Sequence, residues 1–236
     1  AEIQIWTDVD GMMTTDPRMV GNARLIKTLT FDEASELAYF GAKVLHPSTI
    51  LPAIKQNIPV RILNSRRPEN EGTLIVKSIE AEDASQQALT VKSIACKKGI
   101  TLVNVASSRM LMAHGFLAQL FSVFAQYHKS VDVVATSEIS VSLTVDNEKG
   151  LPEIQRELEA IAEIRVAGSK AIICIVGEGM KRTPGVAARI FSAFANEKIN
   201  IEMISEGASE INLTIVVDEQ DAERAVRALH NEFFPG

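Results

Sequence analysis

The sequence predicts an α/β protein, one upstream layered unit followed by a tandem pair of βαββα units. Three observations lead there. Residues 115–145 recur without a gap at 185–215, 70 positions on, matching Gly115 with Gly185, Phe121 with Phe191, Phe124 with Phe194, Asp132 with Glu202, Leu143 with Leu213 and Thr144 with Thr214. A fixed-period match sets the architecture, and two copies make a packed pair, not a solenoid. Each copy runs from a helical stripe (Phe116, Leu117, Leu120, Phe121, Phe124; Val186, Ile190, Phe191, Phe194) into alternating strands (Val141, Leu143, Val145; Ile211, Leu213, Ile215). Upstream, a strand, a polar loop, two helices and a strand follow the order of an α/β layer.

Residues 1–79 form the upstream unit. Glu2 to Thr7 reads as a buried strand with almost no lead-in, a start that looks like a cut through a larger fold. Asp8-Val9-Asp10-Gly11 is turn chemistry, and Thr14 to Arg18 is a second turn in which Pro17 fixes φ and removes a donor. Thr30-Phe31-Asp32-Glu33 has the form of a capping box, so a helix spans 31–40 and stops at Gly41. Pro47 opens a second helix that ends at Asn57-Ile58-Pro59, Val60 to Leu63 is a short strand, and Asn64 to Gly72 is a polar loop. Residues 80–98 read as a linker whose acidic run, Glu80, Glu82 and Asp83, suits a solvated connecting helix.

The first copy occupies 99–168, with strands at 101–106, 131–137, 140–146 and near 164–167 and helices at 114–127 and 152–160. The second occupies 169–236, with strands at 171–176, 200–205 and 211–217 and helices at 184–197 and 219–232. One sheet face takes the helices, which leaves the other to face the sibling copy. The phenylalanines of the stripes are core.

Composition narrows the function. Across 236 residues, 24 Lys and Arg against 30 Asp and Glu give a net charge of −6, which offers no footprint for nucleic acid and disfavours an anionic membrane surface. With no run of about 18 apolar residues and no basic-then-apolar leader, a soluble cytoplasmic protein is expected, although a processed plastid protein would look the same. Cys96 and Cys174 sit in apolar contexts and read as buried reduced thiols, and no metal site is expected. Thr7 and Asp8 are the groups that hold a ribose or base edge, while Arg18 and Lys43 are those that hold phosphate oxygens. From spacing alone, the reading favoured is that Asp8, Asp10 and Asp16 are turn residues, Arg18 and Lys43 solvated charges, and His46 structural.

Trp6-Thr7-Asp8-Val9-Asp10-Gly11, Thr15-Asp16-Pro17-Arg18, Glu36 through Pro47, Ile58-Pro59-Val60 and Gly72-Thr73 together resemble the second half of the aspartokinase catalytic domain. The resemblance implies the C-terminal fragment of an amino-acid-kinase fold. It also implies transfer of the γ-phosphoryl group of MgATP to the β-carboxylate of aspartate, giving 4-phospho-L-aspartate at the start of lysine, threonine and methionine biosynthesis. By position, Thr7 and Asp8 are similar to the family's adenosine-contacting pair, and Arg18 and Lys43 to its phosphate-contacting cations. Met13 stands where many members have Tyr, so one ring contact or hydroxyl is missing from that wall. The family's Lys-Phe-Gly-Gly segment and aspartate-binding residues have no match here, so this span is expected to contain no catalytic residue and to be inactive alone. ATP with Mg²⁺ enters as substrate, and no tightly bound cofactor is implied.

The βαββαβ order of each copy, with Gly at the first crossing from strand to helix, resembles the ACT domain, a ferredoxin-like module that commonly binds amino acids. Gly115 and Gly185 open helices whose free N–H groups and dipole suit an α-carboxylate. An ammonium group then needs an acid, and Ser130-Val131-Asp132 and Thr136-Ser137-Glu138 supply it in copy one, with Met110, Phe116 and Leu117 as walls. These residues are most similar to lysine-sensitive aspartokinases, so lysine is the favoured effector, with threonine and S-adenosylmethionine as alternatives. Copy two has Glu202 for Asp132 and Gly207 for Ser137, and is expected to act as a partner in dimerisation or within the chain. A homodimer through the ACT domains is implied. The alternative is a non-catalytic amino-acid-binding subunit that acts in trans.

Overall fold

The structure is a computed structural model that describes residues 1–40, 47–79, 90–110, 114–180, 183–206 and 211–235. The upstream unit is a four-stranded sheet in the order β1-β3-β4-β2, built from β1 (Ile3–Thr7), β2 (Thr28–Thr30), β3 (Val60–Asn64) and β4 (Thr73–Val76), with helices α1 (Phe31–Phe40) and α2 (Pro47–Gln56). The capping box forms as its spacing predicts: the Glu33 carboxylate accepts the Thr30 N–H at 2.9 Å and the Thr30 hydroxyl accepts the Glu33 N–H at 3.3 Å. Strand β1 is not the buried strand expected. It lies at the sheet edge, with Ile3 40% and Trp6 49% exposed, because only β3 covers one side of it. Strands β2 and β4, which are too short for their pattern to register in sequence, complete the sheet.

Two glycines of the quoted motifs are explained by close approach. A Cβ on Gly11 would stand 2.4 Å from Thr73 Oγ1, and one on Gly72 would stand 1.9 Å from the Ile62 carbonyl oxygen. Their absence lets the Thr73 hydroxyl accept the Met12 N–H at 2.9 Å and donate to the Ile26 carbonyl at 2.7 Å, which ties three segments together inside the unit.

The tandem pair is one six-stranded sheet in the order β6-β7-β5-β8-β10-β9. Its centre is two 14-residue strands, β5 (Ser93–Ala106) and β8 (Glu163–Val176), with a register shift between Lys98 and Leu102. Unit one adds α3 (Phe116–Gln126), β6 (Val134–Thr136), β7 (Ser140–Val145) and α4 (Leu151–Leu158). Unit two adds α5 (Val186–Asn196), β9 (Met203–Glu206), β10 (Asn212–Asp218) and α6 (Ala222–Phe233).

This corrects the expected boundaries. Residues 93–98, placed in the linker, are strand and pair with Ala171 to Val176, completing the sheet of unit two, while Leu102 to Ala106 pair with Glu163 to Ala167 in unit one. Unit two therefore takes its fourth strand from the stretch ahead of unit one, while unit one's fourth strand, Glu163 to Ala167, lies within its expected bounds; β5 and β8 each serve both units. The connecting helix expected near 80–87 lies outside the described residues.

The gapless match also fails in one strand. Val134 faces Leu143 in unit one, whereas Ile204 faces Ile215 in unit two, and Val103 faces Leu143 where Ile173 faces Ile215. Two more residues separate the second and third strands in unit two, so Leu143 corresponds in space to Ile215 and not to Leu213, and Asp146 corresponds to Asp218. Thr144 and Thr214 differ in partners accordingly: Thr144 accepts the Val133 N–H at 3.0 Å, and Thr214 points at Cys174 Sγ at 3.8 Å.

Helices α3 and α4 bury Phe116, Leu120, Phe124, Leu151 and Ile154 on one face of the sheet, and α5 and α6 bury Val186, Ile190, Phe194, Val226 and Leu229 in the same way. The opposite face does not simply meet a sibling. Helix α1 of the upstream unit packs there, placing Phe31, Ala34, Leu37 and Phe40 against a cluster that includes Ile100, Ile172, Cys174, Met203 and Val216. Cys96 and Cys174 are both free, and burial pushes the Cys96 thiol up to about 11.

Candidate nucleotide and effector sites

Thr7 and Asp8 stand at the carboxyl end of β1, beside its parallel neighbour β3, the place where open α/β sheets receive ligands. The Thr7 hydroxyl donates to Asp8 at 3.2 Å, and Asp8 is exposed. Asp10 is a fastening residue: it accepts Asn64 at 2.7 Å and Asn70 at 3.1 Å and pairs with Arg67 at 2.7 Å.

Met13 and Arg18 lie on a different segment, running along the edge of unit two. The Met13 carbonyl accepts the Ser93 hydroxyl at 2.8 Å, the Thr14 carbonyl accepts the Ile94 N–H at 2.8 Å, and the Thr15 hydroxyl donates to the Ile94 carbonyl at 2.8 Å. Arg18 projects into solvent, and its Nε and Nη2 grip Asp16 at 3.0 and 2.6 Å. The Arg18 guanidinium holds the Asp16 carboxyl below its ordinary range. A phosphate at Arg18 thus competes with a carboxylate already in its fork. Lys43 and His46 lie outside the described residues.

In unit one, Gly115 adopts a left-handed conformation (φ 86°) at the start of α3, with no side chain capping the helix and nothing within 4 Å of a Cβ position. Met110, Phe116 and Val131 meet in the core of unit one. Leu117, Ser130 and Glu138 are exposed, and Ser137 closes the β6–β7 turn by sharing a hydrogen bond with the Ser140 hydroxyl at 2.8 Å.

Asp132 is the most committed of the candidate residues. Its side chain is 2% exposed, its Oδ1 accepts the Tyr39 hydroxyl at 2.6 Å, and its Oδ2 accepts Lys97 Nζ at 3.0 Å. Lys97 also binds Asp146 and stands 5.2 Å from the Tyr39 ring centroid. Burial and a hydrogen bond shared with Asp146 push the Asp132 carboxyl up, whereas Asp146 is held down against burial by Asp132 and Lys97. Burial also works against the Lys97 charge, but the two carboxylates outweigh it and raise the ammonium.

Sequence reasoning did not single out Tyr39, Lys97 or Asp146. Tyr39 stood inside a quoted motif without a role, Lys97 fell in the supposed linker, and Asp146 was hidden by the two-residue offset.

Unit two repeats the arrangement with different parts. Lys170 binds Glu202 and Asp218, both at 2.6 Å. Gly185 again adopts a left-handed conformation at a helix start without a side-chain cap. Gly207, whose lack of a hydroxyl was expected to distinguish the copies, lies outside the described residues.

Comparison with known proteins gives a consistent family. Residues 173–233 match the ACT domain family and residues 1–64 match the amino acid kinase family. Aspartokinase 2, chloroplastic, of Arabidopsis thaliana is 44% identical over 99% of the chain and 44% of its own length. Aspartokinase III of Escherichia coli in complex with aspartate and ADP, in the R-state, superposes with a TM-score of 0.87 at 37% identity, over 99% of this chain and 52% of that one. The same enzyme in complex with lysine and aspartate, in the T-state, gives 0.83 at 38% identity, over 99% of this chain and 52% of that one. A C-terminal regulatory domain of aspartate kinase from Porphyromonas gingivalis is 42% identical, with a TM-score of 0.53 over 60% of this chain and 96% of that one. The chain spans about half the length of the full aspartokinases it matches. On these grounds the chain belongs to the aspartokinase family.

Proposed function

We propose that the chain works within an ATP-dependent aspartate kinase that forms 4-phospho-L-aspartate, and that its paired units are the amino-acid sensor of that enzyme, with lysine as the effector at unit one. The likeness along the whole chain to an enzyme solved with aspartate and ADP, and again with lysine, carries the reading. In this reading MgATP is substrate. Thr7 and Asp8 receive the nucleoside at the end of β1, Met13 lines its wall, and Arg18 and Lys43 face the phosphates. Phosphoryl transfer depends on positioning and on stabilising charge, so cations brought up on separate segments are the appropriate contribution from this half of a site.

The effector's carboxylate meets the uncapped N–H groups after Gly115, and its ammonium meets Asp132, with Ser130, Val131, Ser137 and Glu138 around it and Met110, Phe116 and Leu117 as apolar walls. The pair also serves as a homodimer contact in this reading, and the enzyme is cytoplasmic. A non-catalytic subunit acting in trans is the weaker alternative, because residues 1–64 match a kinase family. Among the described residues no helix is long and apolar enough to cross a membrane.

Calorimetry with L-lysine, L-threonine and S-adenosylmethionine tests the sensor. L-lysine is expected to bind, and Asp132→Ala to weaken it by at least about tenfold, the scale of one lost charge-assisted hydrogen bond. Equal lysine affinity in both proteins removes Asp132 from the site. For the catalytic reading, ATP-dependent aspartyl hydroxamate should form from the full reading frame containing these residues and fall on adding lysine.

A further inference from the structure

We propose that Tyr39 and the effector's ammonium group compete for the Asp132 carboxylate, so that effector binding releases the end of helix α1 from unit one. The inference rests on the reading that Asp132 belongs to the effector site. It starts from access: Oδ1 accepts the Tyr39 hydroxyl, Oδ2 accepts Lys97, and the side chain is only 2% exposed, so the lone pairs left on each oxygen are covered by the groups around it. An incoming ammonium reaches this acid only by displacing a donor.

The two donors are unequal. Lys97 is held a second time by Asp146, and its departure would leave two adjacent carboxyl groups without a cation. Tyr39 is 45% exposed, and its phenol is a neutral donor. Exchanging a neutral donor for a cationic one strengthens the bond to a carboxylate, so Tyr39 is the group that yields.

Its position makes the exchange consequential. Helix α1 is tied to unit two near its start, where Glu33 binds Lys92 at 3.0 Å and accepts the Glu178 N–H at 2.8 Å and Glu36 accepts Asn212. At its far end Tyr39 ties it to unit one. Loss of the Tyr39 bond leaves the far end of α1 held by the packing of Leu37 and Phe40 alone, shortly ahead in sequence of Lys43, the phosphate-facing cation of the proposed nucleotide site. Among the described residues no hydrogen bond from the upstream unit reaches Glu202, the counterpart of Asp132, so unit two has no such exchange to make. The competition supplies what an allosteric claim requires, an effector that interacts differently with two arrangements of the same element.

The test is L-lysine calorimetry on the 236-residue chain and its Tyr39→Phe and Asp132→Ala variants, with hydrogen exchange of the α1 amides. Phenylalanine keeps the ring and removes only the competing hydroxyl. Tyr39→Phe is expected to bind L-lysine about tenfold tighter, since one competing hydrogen bond to a charged group is gone. In the unsubstituted chain, lysine should speed exchange at Leu37 to Phe40, and in Tyr39→Phe that exchange should already be fast and lysine should add little. Unchanged or weaker lysine binding by Tyr39→Phe overturns the competition. If Asp132→Ala loses lysine while Tyr39→Phe matches the parent, the effector site stands and only the competition falls. If Asp132→Ala binds lysine like the parent, or no protein binds it, both fall.

Discussion

Unit one and unit two are alike inside and unlike at their attachments. Their first helices bury Phe116, Leu120 and Phe124 in one and Val186, Ile190 and Phe194 in the other, and both begin on a left-handed glycine. Each buries an acid against a lysine. The lysines, however, come from positions that the symmetry does not relate: Lys97 pairs across the sheet with Ile172, and Lys170 with Ile100. The single upstream unit also grips the two differently. Its residues 12–20 lie along unit two, where Met19 and Val20 join the core, while Tyr39 is, among the described residues of the upstream unit, the one hydrogen-bonded to the acid of unit one. One asymmetric partner laid across a symmetric pair cannot make the same contacts twice, so duplication preserves the packing of the core and frees the surface to diverge.

The largest expected effect tests the shared part. Phe124 and Phe194 are each 1% exposed, and replacing either by Ala should cost about 3–5 kcal/mol in urea unfolding. The two losses should be similar if the cores are equivalent. Because β5 and β8 each run through both units, either variant should unfold the pair in a single transition, with secondary-structure and tertiary probes coincident. Two separated transitions would break the claim of a shared sheet.

A somewhat smaller effect distinguishes the attachments. Glu33 is fully buried, Lys92 nearly so, and Glu33→Ala removes the capping box and strands the lysine, which should cost about 3 kcal/mol. Tyr39→Phe, at an exposed hydrogen bond on the unit-one end, should cost about 1 kcal/mol by the same urea measurement. The inequality is the prediction: α1 is anchored on unit two and only latched to unit one. Equal costs would make α1 a symmetric bridge.

Much of this was legible in sequence, and the reasons for the rest are physical. The capping box Thr30/Glu33 reads directly because it is local, and helices α3 and α5 read from their stripes because 3.6-residue periodicity survives burial on one face. The division of β5 and β8 between two units did not read, since strand alternation records burial and not which neighbour supplies it. The third-strand offset was masked by coincidence: Leu213 and Thr214 repeat Leu143 and Thr144 in letters but sit two places away in the sheet. At the proposed effector site, Asp132 could be chosen from sequence, but its partners could not. Tyr39 and Lys97 lie 93 and 35 residues away, and no local pattern ties them to it.

The smallest effect concerns the unit-two attachment alone. His230, on α6, is fully buried, and its Nε2 lies 2.9 Å from the Thr14 hydroxyl, while Nδ1 has no partner among the described residues. Thr14 Oγ1 also accepts the Arg24 N–H at 2.9 Å, and its own proton is available to the Nε2 of a neutral ring. Burial first, and the Arg24 charge second, hold the imidazole below its ordinary value of 6.5. An unfolded chain then takes up a proton near pH 6.5 that the folded chain refuses, so stability is retained above that pH and falls as pH drops through it. The slope between the unfolded and folded values cannot exceed about 1.4 kcal/mol per pH unit for one site. Urea midpoints at pH 7.5, 6.5 and 5.5 should therefore decline more steeply for the parent chain than for His230→Gln, and the gap between the two should narrow on acidification. Parallel pH profiles would mean that the ring accepts its proton in place, and that the contact of Thr14 with unit two survives a charge there.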